Sequence, residues 1–172
     1  MPLGVVMERR VSDSQWIVFD WRVVSVLPGA ANIDDWVELQ KGDDWVQYHA
    51  GTLPLEIFRK ETEGYKYNLS LEQPSVFVVL REAEEEGEED LMPFLVTVCP
   101  YEAQDYLDSG EEIVESVAMP ESVAAWLADY IEEHHVDEPF KKRKLKAFDP
   151  RKEGFEKAPP PIQKKWNKLA HE

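Results

Sequence analysis

A single cysteine, Cys99, in 172 residues rules out an intrachain disulfide framework and any cysteine-rich zinc or iron–sulfur site. A reducing compartment is the expectation, and a metal could be held only by His and carboxylates. Glycine is sparse, at 8 residues, and no Gly-rich phosphate loop, Gly-x-Ser-x-Gly elbow, His-Glu-x-x-His or Cys-x-x-Cys pair occurs. No apolar run approaches the ~18 residues of a membrane span. The start, Met1-Pro-Leu-Gly-Val-Val-Met-Glu-Arg-Arg10, lacks a basic region leading into an apolar stretch. Arg9-Arg10 is followed by Val11-Ser-Asp-Ser-Gln15, which does not fit a twin-arginine signal. A soluble, cytoplasmic protein is expected.

What is present is enough to fold. With 43% hydrophobic and 11% aromatic residues, the chain supports one domain of ordinary size with about thirty residues to spare. Its net charge of −16 is unevenly divided. Residues 140–172 hold 11 of the 19 Lys and Arg but 4 of the 35 acids, a local +7 against −23 for residues 1–139. The expected organisation is an acidic β-rich domain with a C-terminal helix over 1–139 and a basic, aromatic-containing tail over 140–172. Such an acidic body repels phosphate backbones, so nucleic acid is an unlikely partner except through the tail.

Short runs rich in Val, Ile, Trp, Tyr and Phe predict strands at Val5–Arg10, Trp16–Val26, Trp36–Gln40, Trp45–His49, Leu53–Arg59, Tyr65–Leu71, Val76–Arg81, Phe94–Val98 and Ile113–Val117. Turn chemistry separates them at Pro28-Gly29, Lys41-Gly42-Asp43-Asp44, Ala50-Gly51, Gln73-Pro74 and around Gly87. Between Leu53 and Arg59, Leu53, Leu55 and Ile57 alternate with Pro54, Glu56 and Phe58, as in a half-buried strand with Pro54 at an edge. The fold class expected is α+β, mainly β: an antiparallel barrel or sandwich, packed by a late amphipathic helix and followed by a basic extended tail.

The late helix is predicted over Pro120–His135, where Val123, Trp126, Leu127, Tyr130 and Ile131 fall on one stripe. A shorter helix is predicted over Tyr101–Asp108, opened by Pro100 and stopped by Gly110, with Tyr106 and Leu107 turned inward and its carboxylates outward.

Several clusters are best explained structurally. His134-His135 closes the late helix among acids, but adjacent helical positions diverge by about 100°, which suits the helix dipole better than shared ligation. His49 reads as a packed or surface residue. The echo of Asp34-Asp35-Trp36-Val37 in Asp43-Asp44-Trp45-Val46 reads as a hairpin rather than a carboxylate cation site. Glu82–Asp90, with seven acids in nine positions, reads as a solvated hairpin tip. Cys99 reads as a small core residue.

The stretches Pro2–Arg10, Trp21–Gly29, Tyr48-His-Ala-Gly51 and Pro100-Tyr-Glu-Ala-Gln-Asp-Tyr-Leu-Asp-Ser-Gly-Glu-Glu112, with Met119-Pro120 and His134-His135-Val136, resemble an uncharacterised bacterial domain-of-unknown-function family over residues 2–145. Genes of that family typically lie among those for molybdenum- or tungsten-dependent formate dehydrogenases and their maturation factors, which implies an accessory or associated role. A molybdenum-cofactor biosynthesis label attached to some members finds no nucleotide-binding loop here.

The expectation is therefore a non-enzymatic accessory protein that binds another protein, a formate dehydrogenase subunit or maturation factor. Candidate contact residues are Tyr101, Glu102, Asp105 and Asp108 on the short helix, and Phe140, Phe148, Phe155 and Trp166 as anchors in the tail. No catalytic, cofactor or metal residue is assigned. The alternatives are a small enzyme or ligand carrier with a pocket in the β body, and contact of the tail with anionic membrane or nucleic acid. A homo-oligomer stays open.

Overall fold

A computed structural model describes residues 1–13, 19–83 and 91–137, which fall in one compact unit up to Val136. Seven strands, β1 (Pro2–Val11), β2 (Phe19–Pro28), β3 (Val37–Lys41), β4 (Trp45–Pro54), β5 (Ser75–Glu82), β6 (Leu91–Thr97) and β7 (Ile113–Ala118), form two antiparallel sheets. One has the order β2-β1-β4-β3 and the other β6-β5-β7. Three helices complete the unit: α1 (Thr62–Ser70), α2 (Pro100–Ser109) and α3 (Glu121–His134).

The strands are where the β-branched runs demand them. On β1, Leu3, Val5 and Met7 enter the core, and Val76, Val78 and Leu80 of β5 do the same from the second sheet. These positions alternate along each strand, but Val6 and Glu8 of β1 and Val79 of β5, which lie between or beside them, are buried as well, so both strands are covered on both faces over part of their length. Val123 and Leu127 of α3 are fully buried against this core, with Trp126, Tyr130 and Ile131 packed at its margin. The predicted stripe of the late helix is thus the face that α3 buries.

The sheets approach at two seams. β4 lies beside β6, and β2 lies beside β7. At the second seam the Val23 N–H, on the open edge of β2, donates to Glu115 Oε2 of β7 at 2.6 Å. Among the described residues no backbone ladder joins the two sheets, so the barrel alternative is not realised as a closed barrel.

Other expectations need correction. Tyr65–Leu71 is not a strand: Tyr65–Ser70 lies in α1 and Leu71 caps it, and the buried residues of the helix are Thr62, Gly64, Tyr65 and Asn68, three of them at three-residue spacing. Asn68 locks that helix in place. Its Nδ2 donates to the Ser75 and Val98 carbonyls, each at 2.8 Å, and its Oδ1 accepts from the Ser75 N–H at 3.0 Å. Ala50-Gly51 is not a turn but lies inside β4 at a register shift against β1, where Val5 faces Gly51 and Val6 faces His49. The extra residue is a β-bulge, and Gly51 takes φ 154° there. Leu53–Arg59 is not a separate strand: β4 runs on to Pro54, and a 3-10 turn follows at Arg59–Glu61. The alternation survives in the irregular chain, with Leu55 buried and Glu56 and Phe58 exposed.

The Asp-Asp-Trp-Val echo does form a hairpin, in which β3 pairs with β4 and the Gly42 N–H donates to Trp45 O. Trp16, the acidic residues 84–90 and the tail positions Phe140, Phe148, Phe155 and Trp166 lie outside the described residues.

Candidate functional site

α2 begins as its sequence dictates. Pro100 occupies the first turn, and Gly110 ends the helix in the left-handed conformation at φ 71°. Its inward residues are Ala103, which is buried, and Tyr106, which is partly so. Leu107, expected inward, is 49% exposed: it follows Ala103 by four residues on the same side of the helix, but in the last turn of α2 before the Gly110 cap, where its side chain is open to solvent.

The other predicted residues of α2 spread over its outer side. Tyr101 is 55% exposed and stacks on Tyr67 of α1, with ring centroids 6.3 Å apart. Gly64 permits this approach. A Cβ there would lie 2.8 Å from Cys99 Sγ and 3.1 Å from Tyr101 Cδ2. Asp105 is exposed, and Asp108 accepts a 2.7 Å hydrogen bond from Gln104 on the preceding turn.

Glu102 has a different setting. It lines a small groove of about 130 Å³ with Leu53, Pro54, Glu56, Phe58 and the β6 residues Phe94–Val96. The groove occupies the seam between β4 and β6, and both of its aromatic walls are placed by identifiable contacts. Burial pushes the Tyr65 phenol well above its usual pKa. Its oxygen accepts a hydrogen bond from the Phe58 N–H at 3.0 Å and donates to Glu61 at 2.9 Å. The Phe58 backbone is thereby pinned while its side chain stays 45% exposed.

Phe94 is turned outward by a bulge. Leu95 faces Val79 and Pro93 faces Leu80 across the ladder, leaving Phe94 with no opposite number. Its ring, on a side chain 41% exposed, carries Arg81 Cζ 3.3 Å from its centroid. Arg81 also pairs with Glu112 at 2.7 Å. Hydrogen bonds from Ser109 and Arg81 hold the Glu112 carboxyl below its ordinary pKa.

A second polar and aromatic constellation sits on the four-stranded sheet. Glu8 is buried, yet its carboxylate receives Arg22 at 2.6 Å, Arg10 at 3.3 Å and Gln47 at 2.8 Å. Gln40 extends this row by donating to Gln47. Burial alone would raise the Glu8 pKa, but hydrogen bonds from Gln47 and Arg22, with the Arg22 charge, bring it below its ordinary value. On the opposite face Arg9 lies over Phe19 and Tyr48, beside a cluster of Trp21, Trp36 and Tyr48 rings. His49 is packed, with Nε2 3.0 Å from Thr52 Oγ1. Cys99 is buried, which raises its thiol pKa.

Reading the sequence does not single out Phe58, Tyr67, Phe94 or Arg81. Pro93 beside Phe94 is the one local signal, because proline belongs at edges and bulges. Among the described residues no three His, Cys, Asp or Glu gather so as to hold a metal ion. No helix among them is long and apolar enough to cross a membrane.

No curated protein and no solved structure matches the chain. The model of a protein family of unknown function, DUF3305, matches residues 2–144, and the chain belongs to that family.

Proposed function

We propose that the protein is a non-enzymatic, cytoplasmic accessory protein that acts by binding another protein, a subunit or maturation factor of a molybdenum- or tungsten-dependent formate dehydrogenase. The observation that carries this reading is the pair of exposed aromatic side chains, Phe58 and Phe94, that wall one groove, with a second exposed pair, Tyr67 and Tyr101, stacked on each other between α1 and α2. Rigid aromatics at the surface supply large contact area at small entropic cost, which is why they dominate binding hot spots. At about 130 Å³ the groove suits one large side chain rather than a metabolite, whose sites commonly occupy about 300–1,000 Å³.

The two sheets are read as a sandwich that holds these side chains on a stiff frame. The partner is inferred from the gene neighbourhood that the family resemblance implies.

The test is affinity purification of the full-length protein from its own cells, grown while formate dehydrogenase is being made. A dehydrogenase subunit or maturation factor should co-purify in stoichiometric amount, and the Phe94→Ser variant should recover less of it. Isolation of the protein without any stoichiometric partner would overturn the reading.

A further inference from the structure

The charges around the groove are not balanced. Glu56 and Glu102 line it, and among the described residues neither forms an ion pair. Two of the cations near the groove are already engaged. Arg81 is held between the Phe94 ring and Glu112, and Lys60, beside Phe58, pairs with Glu61 at 3.6 Å. Covering the apolar walls with a neutral or acidic partner would strip water from two carboxylates and return nothing to them, which is costly. A basic partner supplies the missing charge. The surplus of acids over residues 1–139 would also favour approach of such a segment from a distance.

We propose that the groove receives one large apolar side chain from an extended segment of the partner protein, with Lys or Arg on either side of that anchor set against Glu56 and Glu102. The inference rests on the protein-binding reading and adds the chemistry of the bound segment. The anchor packs against Phe58 and Phe94, while the flanking cations meet the two carboxylates of the lining. Aromatic contact supplies the affinity, and charge sets the choice of partner and the rate of encounter.

The experiment uses the full chain and three labelled synthetic peptides, read by fluorescence anisotropy at low and moderate salt. The first has a central Phe flanked by Lys and Arg, the second the same Phe flanked by Glu, and the third the basic flanks around Gly. The first should bind, and the other two should bind at least tenfold more weakly. Glu102→Gln and Glu56→Gln should each weaken the first peptide by about 2- to 5-fold, the range of an exposed ion pair, and added salt should narrow the difference. Both substitutions lie at the surface and leave the core untouched, so folding is not in question.

A photoreactive Phe analogue at position 58 identifies the occupant. Cross-links to the basic peptide support the proposal. Cross-links to a second copy or to the chain's own residues 140–172, with none to the peptide, overturn it. Equal binding of the acidic and basic peptides also overturns it. Failure here alongside successful partner co-purification refutes the basic-segment chemistry alone, whereas loss of co-purification refutes the protein-binding reading itself.

Discussion

The Val23 N–H donates to Glu115 Oε2 at 2.6 Å, so a side chain of the three-stranded sheet closes a backbone donor on the edge of the four-stranded one. An edge strand with free donors invites pairing with other chains, and a carboxylate placed on it satisfies one donor and repels intruding acidic edges. Glu115→Ala should cost about 1–2 kcal/mol, the usual penalty for leaving a partly buried donor unmet. Glu115→Gln retains an acceptor and should cost less. Urea denaturation of the two variants compares them; equal losses would mean that the charge, rather than the hydrogen bond, matters.

Glu8 gives a pH-dependent contribution of known sign. Its folded-state pKa is depressed, so the folded state binds its proton less readily than the unfolded chain. The stabilisation is fully present above the ordinary glutamate value of about 4.3. It is lost as the pH falls through the folded-state value. Glu8→Gln should therefore lower stability at pH 7 by about 1–2 kcal/mol, consistent with hydrogen bonds to a charged group whose arginine partners are partly exposed. The difference from the parent protein should shrink towards zero in strong acid. Denaturant midpoints measured from pH 7 to pH 2.5 would show it, and a constant difference would contradict it.

The α3 stripe separates two effects of size. Leu127 is fully buried while Trp126 is only partly so. Leu127→Ala should therefore cost about 2–5 kcal/mol, the range for a buried leucine. Trp126→Ala should fall below the ~3–5 kcal/mol of a buried aromatic, despite removing more atoms. Chemical denaturation with the reverse ranking would mean that Trp126 carries the docking of the helix.

How far the sequence could be read depends on where the packing signal lies. α2 and α3 were legible because Pro100, Gly110 and Pro120 mark their ends locally, and the strands because β-branched and aromatic residues cluster in short runs between turn residues. α1 was not. Two of its buried residues, Thr62 and Asn68, are polar, so its three-residue spacing is invisible to a hydrophobic pattern, while Tyr65, Tyr67 and Leu69 imitate a strand. Glu102 could be named from its helix, but the groove it lines depends on Phe58 and Phe94. Phe94 faces outward only because β5 offers one residue fewer than β6 at that point, a property of the pair that neither strand's own sequence displays.

Gly64→Ala weighs helix propensity against space. Alanine gains up to about 1 kcal/mol over glycine inside a helix. Here, however, its Cβ would press on Cys99 Sγ and the Tyr101 ring, and overpacking of this kind costs about 1–3 kcal/mol. The expected result is a net loss of stability together with displacement of Tyr101 from Tyr67. Thermal unfolding reads the first and ring-proton chemical shifts of the two tyrosines read the second. A stabilised variant with unchanged tyrosine shifts would show that α1 and α2 have room to separate.

The exposed aromatics allow binding to be separated from folding. Phe94 is 41% exposed and stands outside the ladder, and its contact with Arg81 involves a guanidinium open to solvent, worth about 0.5–1 kcal/mol. Phe94→Ser should therefore shift the denaturation midpoint by no more than about 1 kcal/mol, yet sharply reduce recovery of the partner, because anchors at the centre of an interface commonly cost 2 kcal/mol or more when truncated. Leu39, exposed to a similar degree on β3, provides the control. Leu39→Ser removes comparable apolar surface from the other sheet and should leave recovery unchanged. If both substitutions reduce it equally, general surface hydrophobicity governs association and the groove has no special part in it. If only Phe94→Ser acts, the side chain that the β-bulge turns outward is an anchor of the interface.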